Sequence, residues 1–160
     1  MSKRILSFLL AVTCLLSLLP LVEFSPAKVQ AAEGIPDILL YEQYPNSKEY
    51  QISTPEGLQK FSKLGQSNPF SGKTLYMICD IDMYGFSYTP PVSFAGTFDG
   101  GFHAVKRLTV TTNDINCGFI GKLTSTGVIR NLGMEAGIFN ATCSKDGWRA
   151  GCLAGIMEKG

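Results

Sequence analysis

The chain has 160 residues, 14 of them Lys or Arg and 13 Asp or Glu, for a formal net charge of +1. That length bounds the fold at one domain once a leader is set aside. The near-neutral balance leaves no electrostatic footprint for nucleic acid or for an anionic membrane surface.

The leader comes first. Lys3 and Arg4 precede an apolar run from Ile5 to Val22, and Val29-Gln30-Ala31 supplies the aliphatic and small residues that a signal peptidase accepts. This pattern predicts a secretory signal peptide over residues 1–31. A retained transmembrane anchor is the alternative, since the run approaches the roughly 20 residues of a span. Pro20 and the small-residue exit favour cleavage, which confines membrane contact to export. Removing Lys3, Arg4 and Lys28 together with Glu23 leaves 11 basic and 12 acidic residues. Four cysteines also remain, Cys79, Cys117, Cys143 and Cys152. Cys143 and Cys152 flank a Gly-Trp turn and are the candidate disulfide pair, while Cys79 and Cys117 read as small buried apolar residues. No CxxC occurs and His103 is the only histidine, so no metal site is expected.

Residues 32–50 read as a linker, with breaker clusters at Glu33–Pro36 and Tyr44–Ser47. Between them, Ile38–Tyr41 is a short strand or a strap against the body. Ser53-Thr54-Pro55-Glu56 then predicts a helix start. Either Thr54 is the N-cap with Pro55 at the first helical position, or Ser53 caps in a box with Glu56. Leu58, Phe61 and Leu64 share one face and Gly65 ends the helix. A short helix with one apolar face is marginal alone and suits a lid. The first edge of a stacked β-solenoid requires such a lid.

From Lys73 the apolar period becomes two. Tyr76 and Ile78 share a face, the phase slips by one residue, and Ile81 and Met83 follow. A one-residue slip reads as a bend that keeps both pairs inward. The same slip gives Ile78-Ile81-Met83, Val105-Leu108-Val110 and Ile129-Leu132-Met134 as successive corners. Phe94-Ala95-Gly96, Phe119-Ile120-Gly121 and Leu153-Ala154-Gly155 recur as an opening element, 25 and then 34 residues apart. The surplus of nine is assigned to an insertion within Gly137–Arg149. Turns fall at Gly85–Pro91, Asp99-Gly100-Gly101, Asn113-Asp114 and Ser125-Thr126-Gly127. Short strands at such spacing, in repeats, imply an all-β stacked architecture.

Asp80, Asp82 and Asp99 could hold an acid and a base on adjacent strands. The stronger reading makes them backbone acceptors at bends, so no catalytic residue is assigned. Two carboxylates also fall short of the roughly 6–8 oxygens that calcium takes. Tyr84, Phe86, Tyr88 and Trp148 sit in loops and are the candidate ligand-binding residues, as platforms for sugar rings or anchors for a protein. They are equally candidates for folding back over strand edges.

Gly118-Phe119-Ile120-Gly121 together with Gly127-Val128-Ile129-Arg130-Asn131-Leu132 resembles the GLUG motif of bacterial surface proteins. Asp80–Met83 and Phe94–His103 resemble the run-up to that motif, and the likeness spans residues 51–160. Ile120 stands where an aromatic is common, and Tyr88 where Trp often precedes the Pro. The resemblance implies a short right-handed parallel β-helix with one N-terminal capping α-helix. It implies a secreted or cell-surface protein of bacteria, often Gram-positive. The function expected is a non-catalytic module for adhesion or ligand display, with a host glycan or surface protein as partner and no cofactor. The alternative is the N-terminal portion of an extracellular enzyme whose catalytic residues lie elsewhere. That enzyme would be polysaccharide-degrading or one of the immunoglobulin-A-cleaving metallopeptidases that share the motif. Gly155 reads as opening a further coil that the chain does not complete, which leaves an uncapped end.

Overall fold

The structure, a computed structural model, describes residues 34–142 and 146–159. The leader expected over 1–31 and Cys143 of the expected disulfide lie outside the described residues. The elements in chain order are β1 (Glu49–Ile52), α1 (Pro55–Leu64), β2 (Thr74–Met77), β3 (Ile81–Asp82), β4 (Thr97–Lys106), β5 (Thr109–Thr112), β6 (Asn116–Cys117), β7 (Ile120–Leu123), β8 (Val128–Glu135), β9 (Ile138–Ala141), β10 (Arg149–Ala150) and β11 (Ala154–Met157). No helix among the described residues is long and apolar enough to cross a membrane.

Every ladder between these strands is parallel. β1 pairs β2, the first half of β4 pairs β2, its second half pairs β3, and both halves pair β8. β5 pairs β9, β6 pairs β10 and β7 pairs β11. Paired positions lie between 23 and 34 residues apart. The chain therefore lies in three stacked layers, residues 74–94, 97–123 and 128–157, with β1 as a partial layer before the first. Isolated bridges Tyr88–Val110 and Phe94–Leu123 complete the first layer against the second.

The core between the arms of these layers is aromatic. Phe61 of α1 meets Phe70, Phe94, Phe98 and Phe119 with centroids 5.3 to 6.0 Å apart. Phe98 and Phe119 meet edge to face at 5.0 Å. The helix stands where its caps place it. Thr54 Oγ1 accepts from Gly57 N at 3.1 Å, whereas the Ser53 hydroxyl turns to Asp37. Leu58 and Phe61 are fully buried. Gly65 ends the helix for another reason than the one its position suggests. Its φ is −66°, an ordinary right-handed value. Glycine is needed because a Cβ there would lie 2.5 Å from Pro91 Cβ.

Three expectations are corrected by the packing. The stretch 32–50, read as a linker, is built into the body across its described residues. Gln51 N donates to Pro36 O, the 3₁₀ turn Ile38–Leu40 buries Ile38 completely, and the Tyr50 ring is enclosed. On β2 the inward pair is Leu75 and Met77, while Tyr76 turns outward and its hydroxyl meets Glu49 at 3.0 Å. Apolar alternation alone could not choose between the two phases.

The third correction concerns the repeat. The three apolar triplets do not superpose: Ile81 aligns with Val105 and then Met134, and Ile129 aligns with Phe98. Ile120 does align with Ala154, as the recurrence of Gly121 and Gly155 requires. Phe94, however, lies against Leu123. The recurring Φ-x-G element closes a layer and does not open one, so Gly155 belongs to the last strand of the third layer. The insertion is also smaller than nine residues. Three residues (113–115) link β5 to β6, and seven (142–148) link β9 to β10.

Candidate functional site

The four loop aromatics do not form one site. Tyr88 is a core residue, 3% exposed, its ring stacked on Phe119 at 5.5 Å and 7°. Its hydroxyl donates to Phe119 O at 2.9 Å, and burial raises its pKa well above the usual value. Phe86 is half-buried and packs against the core. Only Tyr84, 73% exposed, and Trp148, 58% exposed, face solvent. Tyr88 and Phe86 are thus withdrawn as ligand-binding residues: an apolar ring beside an unfilled core is drawn inward. Tyr88→Phe should cost about 1–3 kcal/mol, because it leaves the buried Phe119 carbonyl without a donor. Urea unfolding would show it, with the midpoint lowered and the slope unchanged.

The polar groups concentrate on the face where β3, the second half of β4, and β8 lie side by side. Register places Asp82, Lys106 and Glu135 in one row. Lys106 Nζ bridges Asp80 at 2.8 Å and Glu135 at 3.7 Å. Arg107 closes on Asp82, its Nε 2.9 Å from Oδ1, and its guanidinium lies 4.6 Å from the Tyr84 ring centroid. Asp80 Oδ1 also accepts from Ala104 N at 3.0 Å and lies 3.5 Å from His103 Nδ1. His103 Nε2 is enclosed with no hydrogen-bond partner among the described residues.

Each carboxylate is thereby committed. The Lys106 ammonium, helped by the Ala104 N–H, holds Asp80 at about 2 against a usual 3.8. Arg107 and the Tyr84 N–H lower Asp82. Asp99 lies beyond the Gly100–Gly101 bend of β4. Burial pushes its pKa up, but the Gly101 N–H, Asn131 and Arg130 outweigh burial and leave it lowered. A depressed folded pKa stabilises above the unfolded value and loses that contribution as pH falls through the folded one. For Asp80 that window runs from about 4 down to about 2. A carboxyl NMR titration should find its midpoint near the lower limit, and Lys106→Met should move it back toward the usual value.

The feature that sequence reading missed is at the corners. Phe102 has φ 62°, Asn131 φ 54°, Arg107 φ 51° and Ala136 φ 51°. Register puts Phe102 level with Asn131 and Arg107 level with Ala136, so two left-handed corners stack from one layer to the next. Left-handed backbone at a bulky residue costs on the order of 1–3 kcal/mol. Phe102 adds an apolar ring that is 79% exposed. No propensity signals a phenylalanine there; only the alignment of its corner with Asn131 could have indicated it.

Cys117 is buried and Cys79 donates to Ser53 O at 3.1 Å, and burial raises both thiols. Cys117 thus agrees with its reading as a buried residue, whereas Cys79 is only half-buried, packed against the edge of the core. Cys152 is exposed. No group of three His, Cys, Asp or Glu side chains that could hold a metal occurs among the described residues. An open groove of about 580 Å³ is lined by Gly34–Pro36, Leu40 and Gln43–Ser47, with no carboxylate among them. Comparison with family models, with curated proteins and with solved structures finds no match to this chain.

Proposed function

We propose that the chain is a short right-handed parallel β-helix with α1 as its N-terminal cap. On this reading it belongs with the GLUG-motif surface proteins and serves as a non-catalytic module in adhesion or ligand display, outside a bacterial cell. Three stacked layers, parallel ladders throughout and left-handed corners in register support the architecture. The observation that carries the functional reading is the commitment of Asp80, Asp82 and Asp99. Each is held ionised by a cation and a backbone N–H, so none is tuned as a general acid near neutral pH. Tyr84 and Phe102 remain as exposed rings at the two ends of that face. Exposed aromatics of this kind suit a host glycan or surface protein as partner.

The test is binding of the chain to a glycan array and to immobilised host surface proteins. Tyr84→Ala and Phe102→Ala should weaken capture at least tenfold while leaving the melting temperature within a few degrees. Cleavage of a polysaccharide by the wild-type chain, abolished in Asp80→Asn, would instead establish the enzyme reading.

A further inference from the structure

Tyr84 is exposed and yet held. It stands second in the turn Met83–Phe86, where Phe86 N donates to Met83 O at 3.0 Å and Gly85 takes φ 81°, as a type II turn requires. Asp82 Oδ1 accepts from Tyr84 N at 3.0 Å and from Arg107 Nε at 2.9 Å, while Oδ2 meets Nη2 of the same guanidinium. That guanidinium lies over the Tyr84 ring, 4.6 Å from its centroid. Arg107 is fixed in turn through its own N–H, which donates to Glu135 O at 2.8 Å. The three residues thus close a triangle. One face of the tyrosine ring is taken by the cation, and with 73% of the residue exposed the other face is left open. Phe102 has no cation over its ring among the described residues.

The charges beside this ring are committed within the chain. Arg107 grips Asp82 with two nitrogens, and Lys106 bridges Asp80 and Glu135. Three carboxylates therefore stand against two cations, and neither cation is free. An anionic ligand would find no partner here and a slightly negative field. A protein partner is also a poor fit. Binding hot spots are aromatic anchors in packed, desolvated pockets, whereas the neighbours of Tyr84 on this face are charged and hydrated. A flat ring with one open face and a polar border suits an uncharged sugar, whose C–H groups meet the negative face of the aromatic while its hydroxyls stay among water and polar groups.

We infer that Tyr84 is a preset platform for a neutral saccharide, with Asp82 and Arg107 as its positioning residues. This rests on the display reading above and narrows its partner from glycan or protein to uncharged glycan. An exposed tyrosine ordinarily loses side-chain freedom when a ligand stacks on it. Here the Asp82–Arg107 bracket removes that freedom beforehand, so less is lost on binding.

Two measurements on the full 160-residue chain test this. In the first, without ligand, NMR should find the Arg107 side-chain protons shifted upfield by the Tyr84 ring current. Asp82→Ala should return them toward ordinary values while the melting temperature stays within a few degrees, since the pair it breaks is exposed. In the second, immobilised neutral hexose oligosaccharides should capture the chain about tenfold or more better than uronate or sulfated ones. Tyr84→Phe should keep that capture and Tyr84→Ala should abolish it. Asp82→Ala and Arg107→Lys, which leave the open face of the ring untouched, should each weaken it about threefold to tenfold, in step with the loss of the upfield shift. Ordinary Arg107 shifts in the wild-type chain, full capture by Asp82→Ala, or equal capture by acidic oligosaccharides would each overturn the inference. Capture of a host surface protein through Tyr84 with no saccharide bound would overturn it and leave the display reading standing; capture of neither would overturn both.

Discussion

Phe61→Ala should destabilise the chain by about 3–5 kcal/mol, the range for removing a buried aromatic side chain. Phe61 is fully buried, and its ring meets four others: Phe70 before the first layer, Phe94 in it, and Phe98 and Phe119 in the second. Each such pair contributes about 0.5–1.5 kcal/mol beyond area burial. None of the four neighbours can fill the gap without leaving its own contacts, so the cavity persists. At roughly 2–4 °C per kcal/mol the melting temperature should fall by about 10 °C or more. Leu39→Ala, on the exposed side of the 3₁₀ turn, should cost under about 0.5 kcal/mol. Equal losses for the two variants, measured by urea unfolding, would show that α1 is not seated in the core.

The second large effect should come from a single methyl group. A Cβ on Gly100 would lie 2.6 Å from Leu132 Cα and closer still to Asn131 O. Both are backbone of the next layer, so no rotamer relieves the contact and β8 must move as a unit. Overpacking of this kind costs about 1–3 kcal/mol and occasionally more; the rigid neighbours place Gly100→Ala at the upper end. The damage should be local. Amide exchange should lose protection at Val128, whose N–H bonds Gly96 O, while the β1–β2 ladder stays protected. Unchanged exchange along β8 would mean that the layers are farther apart than described.

What was legible in the sequence was what short-range chemistry decides. The cap at Thr54, Pro55 at the first helical position and the Leu58–Phe61 face act within one or two turns, and the helix lies where they put it. The turn glycine at Gly101, with φ 58° and Asp99 Oδ1 accepting its N–H, was legible in the same way. The layer register was only half legible. Gly121 and Gly155 do align, and each needs to be glycine because backbone passes close by. Phe94-Ala95-Gly96 looks alike for an unrelated reason: Gly96 is packed against Phe70 O and Lys73 O. The candidate site was the least legible part. The burial of Tyr88 is decided by Phe119, 31 residues later, and the exposure of Phe102 by a corner whose conformation its residue type disfavours.

The long, uniform separation of paired strands bears on the order in which the chain acquires its structure. No strand can form its ladder until a segment 23 or more residues away is in place, and each such closure carries an entropic charge before any contact repays it. Contacts of this range slow folding. The end seated on α1 is the one that can form first, since its helix is short-range and its partial layer is already covered. Later layers then add to a finished template, in the direction in which a ribosome delivers them. Refolding from denaturant should accordingly be slower than acquisition during synthesis, with protection appearing in β2 before β8.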